Sequence, residues 1–233
     1  MDSKKHRWGS IQEKIKAACK RANRDVSEVN VLAVTKYIDE VATREVLDLG
    51  INHIGESRIQ DAVKKWEQIQ RDATWHFIGH LQRNKVKEVI ARFHYLHALD
   101  RFTLAQEINR RTQEAAVEPL KCFIQVNVSG EESKYGITPQ ELEEFAREVA
   151  NLSHIEIIGL MTMAPIVPDA EEVRPLFREL RRLKEHLQNL NQPRLNVSHL
   201  SMGMSQDYGV AIEEGATWIR LGTELVGPGR RGS

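Results

Sequence analysis

The chain has little cysteine and no long apolar run. Its two cysteines, Cys19 and Cys122, lie in a charged helical segment and in the apolar run 120–124, which leaves no framework for disulfides. No stretch approaches the ~18 consecutive apolar residues of a membrane-spanning helix. The first residues are also not followed by the apolar segment of an export signal. We therefore expect a cytoplasmic protein with no membrane partner.

The sequence also lacks an excess of charge of either sign. It carries 33 Lys and Arg residues and 33 Asp and Glu residues, for a formal net charge of zero. No overall field therefore favours nucleic acid as a partner, and we expect a small-molecule ligand. With 41% hydrophobic residues over 233 positions, the chain can bury the core of one domain. We predict that residues 1–233 form this single domain, with mobile tails at about 1–9 and 228–233.

One rhythm recurs along the chain: an apolar strand, an amphipathic helix and a glycine. The run 29–35 is β-branched and nearly all apolar, as expected for a parallel strand buried on both faces, and the helical pattern of 39–49 stops at Gly50. A helix at 11–23 precedes this first unit. The predicted strands are 29–35, 51–55, 74–79, 95–99, 120–128, 155–161, 196–201 and 217–221.

Eight strands that alternate with helices favour an α/β fold, a single-domain (β/α)8 TIM-like barrel with an extra N-terminal helix. A doubly wound open sheet is the alternative, because a count of strands does not show that the sheet closes.

Barrels of this kind place their chemistry at the carboxyl ends of the strands, where this chain offers few polar residues. They are Lys36, Glu56, Ser57, His80, Asp100, Asn127, Thr162, Ser201 and Arg220. Lys36 ends an apolar strand, which would hold its amine over the cavity. A partly desolvated amine is neutral and nucleophilic more often than a solvated one, so a Schiff base with an aldehyde is feasible. The alternatives are a solvated lysine and a counter-ion for a phosphate.

The segment 200–223 predicts an anion site. Two turns that contain Gly with Ser or Thr follow the last two strands, at the place where barrels of this kind bind phosphate. Backbone N–H groups at helix starts supply donors that converge on such an anion. In the last strand, alternation puts Trp218 and Arg220 on one face. A buried arginine needs an anion or an acceptor ring nitrogen, although a structural salt bridge would also satisfy it.

Two histidine pairs suggest zinc, but we predict no metal site. His76 and His80 are four residues apart, and His94 and His97 are three apart. Each pair runs largely along a strand or its exit. No cysteine or paired acid lies nearby at ligand spacing.

Six sequence blocks, all in order, resemble the pyridoxal phosphate homeostasis protein family. The blocks are 31–36, 53–56, 75–85, 125–136, 159–163 and 200–205. The resemblance covers about 11–227 and implies a fold type III barrel similar to the alanine racemase N-terminal domain, with pyridoxal 5′-phosphate (PLP) as the cofactor. It further implies that Lys36 forms a Schiff base and that Arg220 lies near the pyridine nitrogen. It also implies that Ser201, Ser205, Gly222 and Thr223 hold the phosphate, and that Gly203 lets the turn approach it.

The chain departs from the family pattern at one position. The family usually has Gly-Glu-Asn after the second strand, whereas this chain has Gly55, Glu56 and Ser57. A serine can replace one hydrogen bond of that asparagine amide but not two. We include Ser57 among the predicted cofactor contacts.

The resemblance implies a PLP binder that acts in intracellular vitamin B6 homeostasis and delivers PLP transiently to apoenzymes. We predict a monomer with no catalytic residue. The racemases and decarboxylases of this fold carry a second domain with an acid/base group, whereas this chain ends soon after its last predicted strand. None of Tyr37, Tyr95, Tyr135 and Tyr208 has a sequence context that marks it as such a group. A small PLP-dependent amino-acid racemase using Lys36 is the alternative, and a barrel that binds a sugar phosphate without a Schiff base is a third.

Overall fold

Eight parallel strands close into a barrel. The computed structural model describes residues 4–69, 71–190, 192 and 194–227. The strands are β1 (Asn30–Val34), β2 (His53–Glu56), β3 (Thr74–Phe77), β4 (Tyr95–Leu99), β5 (Leu120–Gln125), β6 (Ile155–Met161), β7 (Leu195–Met204) and β8 (Trp218–Leu221). Each strand pairs with the next along the chain, and β8 pairs back onto β1. This closure confirms the predicted barrel and excludes the doubly wound open sheet.

Helices surround the barrel. Within the described ranges they are α1 (Lys4–Arg21), α2 (Glu40–Asp48), α3 (Ile59–Gln68), α4 (Val86–Ile90), α5 (Phe102–Ala115), α6 (Leu142–Ala150), α7 (Arg174–Asn189), α8 (Tyr208–Glu213) and α9 (Thr223–Val226). The long ones are amphipathic; in α7 the buried residues Phe177, Leu180 and Leu187 recur at helical spacing. No helix in this part of the chain is long and apolar enough to cross a membrane.

Local sequence signals set the ends of α2, which follows the first strand. The Asp39 carboxylate accepts a hydrogen bond from the Ala42 N–H at 2.8 Å, which satisfies one of the unpaired donors at the helix start. Gly50 adopts a φ of +83° just after the helix, a backbone conformation that costs glycine little. These two signals explain why the sequence located this helix to within a residue at either end.

Helix α1 begins at Lys4, well before the predicted start at residue 11. Trp8 packs against the core, and Ile11 is fully buried. The predicted tail is therefore wrong for residues 4–9, while 1–3 and 228–233 lie outside the described residues. Trp8 is the single large apolar residue between Lys4 and Ile11, so this first part of the helix shows little apolar periodicity.

Strand β7 runs past its predicted end at Ser201 and continues to Met204. Three steps along β7, from Ser201 to Met204, oppose two steps along β8, from Trp218 to Arg220. Within this segment Gly203 has a φ of +92°. An extra residue with a left-handed glycine is the mark of a β-bulge. The turn predicted from residue 202 onward therefore begins only after Met204.

Ring side chains fill the amino-terminal half of the barrel interior. Trp218, His53 and Tyr95 are each the first residue of a strand. The Trp218 ring centroid lies 4.8 Å from that of His53 and 4.9 Å from that of His76, and His76 stacks on Tyr95 at 4.4 Å. Barrels of this type usually fill this space with branched aliphatic side chains. The interior is therefore unusually polar.

We expect Gly203→Ala to destabilise the fold by roughly 2 kcal/mol or more. The left-handed backbone disfavours any side chain, and an added Cβ would lie 2.6 Å from the Cβ of Ala211 on α8. Urea unfolding measures the loss. Gly209→Ala is the matched control, because the nearest atom to its added Cβ is 4.0 Å away. Equal unfolding midpoints for the two variants would contradict this account of Gly203.

Candidate functional site

A cavity opens at the carboxyl ends of the strands. Its volume is about 280 Å³, and five of the predicted site residues line it: Lys36, Ser205, Arg220, Gly222 and Thr223. Apolar side chains from the end of β6 and the loop after it form much of the remaining wall. One cavity therefore collects an amine, a guanidinium and two hydroxyl groups.

Lys36 lies two residues after the end of β1, and its half-buried side chain reaches the cavity. Its Nζ lies 5.0 Å from the centroid of the Tyr37 ring. Within the described ranges the amine donates no hydrogen bond and pairs with no carboxylate. The amine is thus available to a ligand.

A buried ion pair holds the backbone next to Lys36. Lys65 on α3 donates to Glu56 Oε1 at 2.7 Å and to the backbone carbonyl of Thr35 at 2.6 Å. The Thr35 hydroxyl donates to the same Glu56 oxygen at 2.5 Å. Because both charged side chains are buried, these bonds offset the cost of their desolvation. They also fix the end of β1 from which Lys36 extends.

The Glu56 carboxyl is poorly solvated. Burial raises its pKa, and the charge and hydrogen bond of Lys65 lower it in part. Its second oxygen, Oε2, has no hydrogen-bond partner among the described residues.

Sequence patterns did not indicate Lys65 as a functional residue. One signal was present, because Lys65 lies on the same face of α3 as the buried Ile59 and Ala62.

The turns after β7 and β8 contain unused backbone donors on residues that line the cavity. The N–H groups of Ser205, Gln206, Gly222 and Thr223 have no acceptor in the part of the chain that the structure describes, and all four residues line the cavity. The hydroxyl groups of Ser205 and Thr223 lie in the same wall. Converging N–H and O–H donors are the usual means of binding a phosphate. This wall is therefore an anion cradle.

Arg220 is buried beneath the cavity and anchored from below. Its Nη1 donates to the backbone carbonyl and to the hydroxyl of Ser201, both at 2.8 Å, and its Nη2 donates to the carbonyl of Thr162 at 2.8 Å. Burial lowers the pKa of Arg220 to about 10. A guanidinium has five N–H donors. The remaining two have no acceptor in the described ranges, while the side chain lines the cavity.

Three of the predicted site residues do not line the cavity. Ser201 is fully buried behind Arg220, which it anchors. Gly203 faces α8, against which it packs. Ser57 packs its backbone against Gly79, where an added Cβ would come within 2.3 Å of the Ser57 carbonyl oxygen. Ser201 and Gly203 thus support the site from behind, and the structure gives Ser57 no contact with the cavity.

Asp207 lines the cavity although sequence patterns did not indicate it. Its buried carboxylate accepts a hydrogen bond from the Met204 N–H at 2.6 Å. Burial raises the pKa of Asp207, whereas the bond from Met204 and the charge of Arg220 lower it. Asp side chains in turns often accept nearby backbone N–H groups, and this general preference is the signal that could have indicated the residue.

The histidine pairs noted in the sequence do not meet as pairs. In the described ranges no group of three or more His, Cys, Asp or Glu side chains could hold a metal ion. His80 lies 3.2 Å from the Asp100 carboxylate, and His94 accepts a backbone N–H at 3.1 Å. His76 and His97 instead bond to each other across neighbouring strands at 2.9 Å.

The cavity therefore presents three groups with unused bonding capacity. Lys36 offers an amine, the anion cradle offers several donors, and Arg220 offers two N–H groups. This set fits a ligand that carries a carbonyl group, a phosphate and an acceptor atom on a ring.

Comparisons with known proteins point in the same direction. The family model of the alanine racemase N-terminal domain matches residues 7–229. A pyridoxal phosphate homeostasis protein from Aquifex aeolicus (strain VF5) is 41% identical over 222 residues, which are 95% of this chain and 96% of that protein. One from Escherichia coli (strain K12) is 36% identical over 226 residues, 95% of each chain. The structure of PipY from Synechococcus elongatus PCC7942 with PLP bound is 34% identical and has a TM-score of 0.80. The match covers 93% of this chain and 100% of that chain.

We expect Lys65→Met to destabilise the fold by about 3–5 kcal/mol at pH 8, because it leaves the Glu56 carboxylate buried without a partner. The loss should be smaller at pH 5. Burial raises the folded-state pKa of the Glu56 carboxyl, so burying this group destabilises the fold least below the pKa that it has in the unfolded chain. That relative stability is lost as the pH rises through the folded-state pKa. Urea unfolding at both pH values checks this.

Lys64→Met, one residue away on the exposed side of α3, is the control and should change stability by less than about 0.5 kcal/mol. A Lys65→Met loss that does not depend on pH would contradict the role assigned to the Glu56 carboxylate.

Proposed function

We propose a function on the premise that this chain belongs to the pyridoxal phosphate homeostasis protein family, the family of the relatives that it matches over nearly its whole length. The chain binds PLP and acts in its homeostasis. In our proposal Lys36 holds PLP as a Schiff base, and the protein stores and releases the ligand without substantial catalysis.

The observation that carries the proposal is the convergence of three unused donor sets in one cavity. PLP supplies an aldehyde that condenses reversibly with an amine, with loss of water. Lys36 Nζ, which has no carboxylate partner in the described ranges, is the amine. The anion cradle receives the phosphate, and Arg220 faces the pyridine nitrogen.

Arg220 favours storage of the ligand over carbanion chemistry. With a pKa of about 10, its guanidinium stays protonated near neutral pH and can only donate hydrogen bonds. A ring nitrogen that accepts such a bond stays unprotonated, which makes the ring a weak electron sink.

The titratable groups around the cavity also support a binder. Racemisation needs a second acid/base group on the face of the ligand opposite the lysine. Besides Lys36 and Arg220, the titratable residues that line the cavity in the described ranges are Tyr37 and Asp207. The Tyr37 ring lies beside the Lys36 amine itself, and the Asp207 carboxylate is engaged by a backbone N–H. These engagements favour a binder over a racemase.

We propose further that the chain acts as a monomer in the cytoplasm and hands PLP to apoenzymes in transient encounters. The rim of the cavity supports the transient encounters, because Ile166 is 81% exposed and Tyr37 is 54% exposed. Exposed apolar side chains beside a ligand site suit brief contact with a partner.

Lys36→Ala should abolish the yellow colour of the PLP-loaded protein, because it removes the amine of the Schiff base. The measurement is the absorbance spectrum before and after borohydride, followed by mass spectrometry of the peptide that contains Lys36. We expect wild-type protein to lose its visible band on reduction and to retain the ligand on that peptide. Lys87→Ala, an exposed lysine on α4, is the matched control and should behave as wild type.

A wild-type protein that cannot be loaded with PLP would exclude both the binder and the racemase. It would favour the third alternative, a barrel that binds a sugar phosphate and is colourless.

Loaded wild-type protein should cause no loss of optical activity in L-alanine or L-serine beyond that seen with Lys36→Ala. The reason is that the described residues lining the cavity offer no free acid/base group besides Lys36 and the Tyr37 beside it. Polarimetry over long incubation makes the measurement. Racemisation that disappears with Lys36→Ala would overturn the non-catalytic proposal while leaving PLP binding intact.

A further inference from the structure

A continuous chain of hydrogen bonds runs through the barrel from Arg220 to the opposite end. Arg220 Nη1 donates to Ser201 Oγ at 2.8 Å, and Ser201 Oγ lies 2.8 Å from His97 Nδ1. His97 Nε2 lies 2.9 Å from His76 Nδ1, and His76 Nε2 lies 3.0 Å from His53 Nδ1. The links come from β8, β7, β4, β3 and β2 in turn. We call Ser201, His97, His76 and His53 the histidine relay.

The direction of every bond in the histidine relay follows from the arginine. A guanidinium can only donate, so Ser201 Oγ accepts from it. In the described ranges His97 Nδ1 is the one other partner of this oxygen, so the hydroxyl hydrogen has an acceptor only if it is donated to His97. His97 must then carry its hydrogen on Nε2 and donate it to His76 Nδ1. By the same logic His76 carries its hydrogen on Nε2 and donates it to His53. One donor at the cavity thus dictates the tautomer of three histidines.

The surroundings keep the relay neutral. Burial lowers the pKa of both His76 and His97 well below the usual histidine range, and the neighbouring histidines and Arg220 lower them further. Stacked rings of Tyr95 on His76 and Phe123 on His97 exclude water from both. A second proton on either ring would also set two donors against each other.

Packing alone does not call for this chain. An imidazole buried without hydrogen bonds costs free energy, and branched aliphatic side chains fill comparable barrels. What the relay adds is a fixed acceptor for Arg220. If it ran in the opposite direction, His97 and Arg220 would both donate to Ser201 Oγ, and the hydroxyl hydrogen would be left without its acceptor.

We propose that Ser201, His97, His76 and His53 are positioning residues that hold Arg220 in place and keep its free N–H groups aimed at the ligand ring nitrogen. This inference rests on the proposed function. It also predicts a property of the protein without ligand, namely one defined tautomer at each of three buried histidines.

The first test measures those tautomers in the full chain without ligand, by long-range correlation of imidazole protons with 15N nuclei. We expect His97, His76 and His53 each to carry hydrogen on Nε2 and none on Nδ1 at neutral pH. An Nδ1–H form or a doubly protonated ring at His97 or His76 would overturn the proposal. This measurement needs neither a variant nor PLP.

The second test interrupts the relay far from the cavity. His76→Leu removes the acceptor for His97 and the donor to His53, so we expect mixed tautomers at His97 and PLP binding weaker by roughly 3- to 10-fold in equilibrium dialysis. His76→Gln retains an oxygen acceptor and an N–H donor, and should restore affinity to within about twofold of wild type. This rescue distinguishes a hydrogen-bonding role from a space-filling one.

His199→Leu is the matched control for the loss of a ring. His199 on β7 bonds to Thr217 Oγ1 at 3.2 Å and has no bond to the relay, so PLP affinity should not change. Wild-type affinity in folded His76→Leu would overturn the positioning role. Wild-type protein with the expected tautomers but no PLP binding would instead reject the proposed function and leave the direction of the relay established.

Discussion

The constraint on which the site depends is the burial of a guanidinium inside the barrel. Arg220 cannot give up its five donors, so the interior around it must supply acceptors. Ser201 and Thr162 take three of the N–H groups and leave two without an acceptor in the described ranges, on a side chain that lines the cavity. The polarity that this requirement imposes spreads through Ser201 to His97, His76 and His53. A single buried cation thereby accounts for a polar interior in a fold that normally fills with aliphatic side chains.

The two cationic residues of the cavity are held from behind in different ways. Lys36 extends from a strand end that is fixed on the outer side of the barrel wall, where Lys65 bonds to Glu56 and to the Thr35 carbonyl. Arg220 is fixed on the inner side, by the relay. In both cases the supporting bonds reach the backbone or the far side of the group, so the atoms that face the ligand stay unused. Preorganisation of this kind lowers the cost of ordering side chains on binding.

The features that depend on local pattern could be predicted from the sequence. The end of the first strand indicated Lys36 as a site residue, and strand alternation placed Trp218 and Arg220 on the same face. The number of strands predicted a barrel, and the structure was needed to show that the barrel closes. The histidine relay could not be predicted in this way. Its members come from different strands, and they come into contact only because of how the strands are staggered in the barrel. The sequence did suggest His76 and His97 as members of histidine pairs, but it paired each with a histidine in its own segment and not with the other.

Ion pairs between a strand and a helix could not be predicted for the same reason. The partner of Glu56 lies nine residues away on a helix, and nothing in the strand reveals it. Ser205, Gly222 and Thr223 of the anion cradle could be predicted because they lie in turns that directly follow strands. Gln206, in the same cradle, was not among the predicted residues.

The β-bulge at Gly203 changes the phase of strand β7. Below it Ser201 faces the barrel interior, and above it Met204, three residues on, faces the cavity, whereas regular alternation would put positions of one parity on the same side. The strand therefore presents an odd-numbered position, Ser201, to the barrel interior and an even-numbered position, Met204, to the cavity. This change in alternation separates two roles along one strand, namely holding Arg220 and lining the cavity. The residues that hold Arg220 and those that meet the ligand can vary independently, provided that the backbone between them keeps its left-handed glycine.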